Sequence, residues 1–167
     1  MTTETGLMRK INTRPPAPED VGRTGTWELQ VSDGAPVLIE GTFLGMSSSR
    51  RPSHENHDGS PYGTDGTWTT TNQRCSACRW FEPRIFVTTA EPHFFGLYKM
   101  GWTIVPEETV RLSYVEAGSA FELIESMAIR RQGKLVLPIP ARRVIAQAAG
   151  YDSEIRDAYL DWRRSTA

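Results

Sequence analysis

At 167 residues and 18.7 kDa, with 20 acidic against 19 basic side chains, the chain has the length of one domain and a net charge of −1. Its charge balance supplies no global field for nucleic acid or anionic lipid, and no apolar run of about 18 residues offers a helical membrane span. Two cysteines exclude a disulfide scaffold. Sixteen of the 19 basic residues are arginine, an excess that codon usage in a GC-rich genome accounts for more simply than any demand for forked donors.

In chain order, residues 1–25 read as a flexible tail. They carry Pro15, Pro16 and Pro18, scattered charge and no periodicity, and no apolar stretch that would serve as a secretion signal. Residues 26–167 read as one α+β domain. Trp27, Leu29 and Val31 alternate with Glu28 and Gln30, Ser32-Asp33-Gly34-Ala35-Pro36 is turn chemistry, and Val37, Ile39 and Phe43 continue the alternation to about Gly45. The pattern predicts an antiparallel hairpin. Residues 79–89, 95–105 and 109–116 read as three more strands, with Pro83 pointing to an edge or a bulge because it has no ladder donor. From Ser119 the period changes to that of a helix. Ser119 and Glu122 form a capping-box pattern, and Gly133 is the expected helix stop. Residues 134–137 read as a short strand. Pro140 opens a helix running to Gly150, and Asp152 or Ser153 caps a last one bearing Ile155, Tyr159, Leu160 and Trp162. Strands followed by helices give an antiparallel sheet with a helical C-terminal third.

Residues 46–73 hold few aliphatics and much Ser, Thr, Gly and Asp. A loop of that length inside a compact domain needs something to pin it. The candidate pin is the constellation His54-x2-His57, seventeen residues, Cys75-x2-Cys78. Each x2 pair can reach one ion from a tight turn, and two imidazoles with two thiolates satisfy tetrahedral zinc. The expectation is one structural Zn ion on His54, His57, Cys75 and Cys78, clipping a metal loop over 54–78 and supplying folding free energy that apolar burial cannot. His93 is the remaining histidine and reads as a loop or core residue, with a lesser role as a replacement ligand.

Four candidate ligands favour a closed site over a catalytic one, so no catalytic residue is assigned. A zinc-dependent hydrolase using Glu55, Asp58 or Asp65 as base is an alternative. A deaminase-like enzyme is another, although the H-x-E…P-C-x2-C signature fails: Glu55 directly follows His54, and Arg74 stands where proline would precede Cys75. The CxxC pair leads into a strand rather than opening a helix, which disfavours a redox role. Residues 142–160 have the spacing of a helix-turn-helix, which makes a DNA-binding regulator acting through the helix pair 141–164 a further alternative. Asp152, Glu154, Asp157 and Asp161 would repel phosphates from that helix. Nucleic acid would gain weight only if Arg163 and Arg164 joined Arg142 and Arg143 in one patch away from those carboxylates.

The stretch Arg74-Cys75-Ser76-Ala77-Cys78-Arg79-Trp80-Phe81-Glu82, behind an H-x2-H segment and ahead of Ala146-Gln147-Ala148-Ala149 and Asp157-Ala158-Tyr159, resembles a family of small, functionally uncharacterised proteins of actinobacterial phages and prophages. The resemblance spans about residues 26–162. It implies no activity; it implies a cytoplasmic role in the bacterial host during infection, such as modulation of a host protein. The reading at this point is a non-enzymatic, zinc-stabilised accessory protein that binds a host or phage protein, with no membrane partner. Tyr62, Trp68, Arg74 and Arg79 are the candidate partner contacts, because Tyr, Trp and Arg dominate interface energetics.

Overall fold

A computed structural model describes residues 10–50, 79–91, 93–104 and 107–167. Six strands follow one another across a single sheet: β1 (Ile11–Asn12), β2 (Thr24–Leu29), β3 (Val37–Met46), β4 (Arg79–Thr88), β5 (Phe94–Ile104) and β6 (Glu107–Ala117). β1 runs parallel to β2 and all other neighbours are antiparallel. After β6 come α1 (Ala120–Ser126), a small hairpin of β7 (Ile129–Arg131) and β8 (Lys134–Val136), α2 (Ile139–Ala148) and α3 (Ser153–Ser165). The α+β order expected from the sequence is the order found.

Side chains alternate across a strand, and residues paired between strands share a face. One face of β4 and β5 presents Ile85, Phe94 and Tyr98 to the helices, where they pack with Leu123, Ile145, Ile155 and Trp162. The other face presents Phe86, Phe95 and Leu97 to a second core built on Trp27, Leu29, Ile39 and Phe43. The sheet curls to enclose this second core. The turn after β2 reaches the far strand, where the Leu112 N–H donates to Ser32 Oγ at 2.7 Å and the Ser32 N–H donates to the Leu112 carbonyl at 2.9 Å. Aromatic edges fill the enclosed space, with Phe86 lying 5.1 Å from Phe43 and 6.0 Å from Trp27, centroid to centroid.

Pro83 lies within the sheet rather than on an edge strand, between β3 and β5. Its carbonyl accepts from the Ser47 N–H at 3.2 Å, so its backbone polar groups face the β3 side, one residue past the last β3–β4 pair, Met46 with Arg84. The missing N–H therefore falls just beyond the regular β3–β4 pairs, where the Pro83 carbonyl alone keeps the backbone contact with Ser47. Gly133 does not stop the first helix. That helix ends at Ser126, and Gly133 (φ 79°) with Gln132 (φ 49°) makes the turn of the β7–β8 hairpin. The Ser119 cap is present, its Oγ accepting from the Glu122 N–H. Glu122 reaches back to the Gly118 N–H instead of completing the box at Ser119.

Residues 10–25 depart from the tail reading. β1 adds to the sheet, and a single 3-10 turn at Pro18–Asp20 lies against β3, with the Gly22 N–H donating to the Phe43 carbonyl at 2.7 Å. The anchor is the buried carboxylate of Asp20. Arg14 holds it bidentately at 2.7 and 2.8 Å, the Ala17 N–H donates to it at 2.9 Å, and Arg23 adds a third cationic donor at 3.2 Å. Composition alone missed this because proline-rich, charge-rich segments are ordinarily unable to bury apolar surface; here a charge-assisted network takes that role.

These donors hold the Asp20 carboxyl down at about 2, the Arg14 hydrogen bond contributing most. A carboxyl with a depressed pKa stabilises the fold above its unfolded pKa and loses that contribution as pH falls through the folded value. Asp20→Asn should therefore cost about 1.5–3 kcal/mol at neutral pH and flatten the acid dependence of stability between roughly pH 4 and pH 2. Denaturant titrations of both proteins across that range check it.

Candidate functional site

The helices define a groove on the outer side of the molecule. Along α3, Tyr159, Trp162, Arg163 and Thr166 fall at i, i+3, i+4 and i+7 and form one stripe. Asp152 caps this helix, its Oδ1 accepting from the Ile155 N–H at 2.9 Å. Trp162 is only 4% exposed and packs against Phe121, with ring centroids 5.7 Å apart, so the stripe is rigid at its centre. Facing it, the stretch from β8 into α2 contributes Leu137, Pro138 and Ile139, the last 55% exposed. The groove encloses about 930 Å³, near the upper end of the roughly 300–1,000 Å³ typical of ligand sites.

Four arginines from four different elements line it: Arg79 at the start of β4, Arg131 at the end of β7, Arg142 in α2 and Arg163 in α3. All four are exposed. Among the described residues no Asp or Glu side chain lines the groove, and none of the four makes an ion pair. Other arginines behave differently: Arg14 and Arg23 meet Asp20, Arg111 meets Asp33, Arg156 meets Asp157 and Arg164 meets Asp161. The carboxylates of α3 are likewise engaged elsewhere, Glu154 accepting from the Ala120 N–H at 3.2 Å. A molecule of net charge −1 thus brings to one groove four arginines that make no ion pair among the described residues, over a largely apolar floor.

Two glycines set this geometry. The turn at Gln132-Gly133 has positive φ at both central positions, the hairpin turn that places Arg131 opposite Lys134. Gly45 of β3 lets α2 approach the sheet: a Cβ there would lie 2.6 Å from Gln147 Oε1, which accepts from the Met46 N–H.

Of the residues singled out from the sequence, His54, His57, Cys75, Cys78, Tyr62, Trp68 and Arg74 lie outside the described residues, and so does the zinc-clipped loop. Arg79 is described and stands on the groove rim beside Ser49. The two stems flanking 51–78 run side by side, the Ser49 N–H donating to the Phe81 carbonyl at 3.1 Å and the Phe81 N–H to Ser49 Oγ at 2.9 Å. His93 sits in the β4–β5 connection, paired with Glu91 at 2.6 Å, about 30 Å along the strand from Arg79. The helix pair divides its basic residues. Arg142 and Arg163 both line the groove, Arg164 turns to Asp161, and Arg143 is not among the lining residues. The sequence reading places Ile155, Tyr159, Leu160 and Trp162 on the last helix without singling out a groove face, and only the topology brings Arg79 and Arg131 beside Tyr159 and Trp162.

On the inner side, a cavity of about 80 Å³ lies beside Pro16, Leu29, Leu97 and Leu112. Arg84 is buried there, its Nε donating to the Pro16 carbonyl at 3.5 Å and its Nη1 3.8 Å from Glu82; desolvation lowers its pKa. This arginine ties the N-terminal segment to the enclosed core.

Comparison with known protein families, curated proteins and solved structures returned no match. Among the described residues, no helix is long and apolar enough to cross a membrane.

Nothing lies within 4 Å of where a Cβ at Gly133 would project, so a substitution there is opposed by backbone conformation alone. Gly133→Ala should cost about 1–2 kcal/mol and Gly133→Asn less, since Asn tolerates the left-handed region. Equilibrium urea unfolding of the three proteins measures it.

Proposed function

We propose that this chain is a non-enzymatic accessory protein, stabilised by one structural zinc ion, that binds another protein through the arginine-lined groove. The observation that carries the reading is the convergence on one groove of Tyr159 and four exposed arginines that make no ion pair among the described residues, above a buried Trp162. Arg, Tyr and Trp are the side chains in which interface energy concentrates. A rigid floor also lowers the ordering cost of binding, because Trp162 is already held by Phe121.

The zinc reading gains support from the adjacent stems. Because residues 49 and 81 are paired, His54 and His57 begin five residues beyond one stem, and Cys75 and Cys78 end at the other. Two ligand pairs so near a common base need little chain to meet on one ion. Thiolate and imidazole would close a four-coordinate site that leaves no open position for chemistry. The resemblance of residues 74–82 to actinobacterial phage proteins implies a host or phage partner and a setting in the bacterial cytoplasm. Tyr62, Trp68 and Arg74 are the proposed contacts on the loop side, next to Arg79. A nucleic-acid partner keeps one observation in its favour, that Arg142 and Arg163 both line the groove.

Protein purified with zinc present should contain about one ion per chain. Cys75→Ser should lose it while keeping a cooperative thermal transition, because the described residues by themselves pack into two extensive cores. Metal analysis together with circular dichroism reads both outcomes; wild type that retains no zinc would sink the proposal.

A further inference from the structure

We propose that the groove takes an acidic polypeptide segment carrying apolar side chains; this rests on the reading of the groove as a protein-binding site and names the chemistry of its partner. Charge complementarity is the first argument. Arg79, Arg131, Arg142 and Arg163 are exposed and make no ion pair among the described residues, and no described Asp or Glu side chain lines the groove with them. Each presents a planar fork suited to bidentate capture of a carboxylate. Because they rise from four separate elements, their spacing is set by the fold rather than by one flexible segment.

The floor is the second argument. Leu137, Pro138 and the exposed Ile139 give apolar surface that a string of phosphates would leave unused, but that leucine or phenylalanine side chains would cover. Trp162 is buried against Phe121, so its ring face is not open for stacking a base.

The test uses the full chain, loaded with zinc, and a fluorescently labelled short peptide of glutamates interrupted by two leucines. Its glutamine counterpart, a lysine counterpart, single-stranded DNA and duplex DNA serve as comparisons, and anisotropy is read at low and moderate salt. The acidic peptide should bind best, at least tenfold more tightly than the glutamine peptide, and should weaken as salt rises. Arg131→Glu, Arg142→Glu and Arg163→Glu should each weaken it about three- to tenfold, whereas Arg143→Glu, outside the groove on the same helix, should not. All four positions are exposed, so matched thermal transitions will show that the variants fold. If the glutamine or lysine peptide binds as well as the acidic one and Tyr159→Ala abolishes both, the acidic preference is overturned while the protein-binding reading stands. Tighter binding of either DNA, lost in the same three variants, overturns both. Binding of none of the probes, or self-association of the chain lost with Arg142→Glu, overturns the acidic-segment proposal.

Discussion

Ile85 and Phe86 are neighbours in the chain, and neither has any exposure, because each belongs to a different core. Phe94 and Phe95 repeat the arrangement on β5, and Phe43 and Leu44 repeat it on β3. A strand can bury two consecutive large side chains only if both faces of its sheet are covered. That requirement organises the rest of the molecule. The inner face is covered by the curl of the sheet itself, completed by β1, the 3-10 turn and the Ser32–Leu112 contact. The outer face is covered by α1, α2 and α3, and the groove lies where their cover gives way to solvent.

Much of this plan was legible in the sequence. Alternation over 27–31 and 37–45 defined a hairpin, and the strands read at 79–89, 95–105 and 109–116 lie within a residue or two of β4, β5 and β6. The capping residues Ser119 and Asp152 mark helix starts, because short polar side chains there satisfy N–H groups that the helix leaves open. What failed were positions where tertiary context overrides local chemistry. Pro83 reads as an edge or bulge residue because proline lacks a donor. It sits inside the sheet, near the register shift of the β3–β4 pair between Phe43 and Gly45 and just past its last regular pair, Met46 with Arg84. Residues 10–25 read as a tail because their composition is polar, yet the Asp20 network holds them by charge-assisted hydrogen bonds that no hydropathy pattern reveals. Gly133 reads as a helix stop and is a hairpin turn instead, since both uses want a residue at positive φ.

The site was legible only in part, for a physical reason. The cysteine and histidine spacing names a chemistry without needing a fold, because ligand pairs are local. A groove is not local. Arg79, Arg131, Arg142 and Arg163 are spread over 84 residues of sequence numbering, and nothing in their spacing distinguishes them from the arginines that meet carboxylates elsewhere. The excess of arginine over lysine, attributed to codon usage, says nothing about which arginines are free. Only the packing of α3 on α1 and α2, and the hairpin that carries Arg131, decides that.

The central structural claim is that β4 divides two independent cores, one closing the curled sheet and the other seating the helices that form the groove. A double-mutant cycle with Ile85→Val and Phe86→Leu, followed by denaturant unfolding, tests it most directly. Each single substitution should cost about 0.5–1.5 kcal/mol, and the double variant should equal their sum within about 0.5 kcal/mol, as for residues with no shared partners. A coupling well above that, between residues adjacent in the chain, would mean that their side chains share one core and would contradict the account.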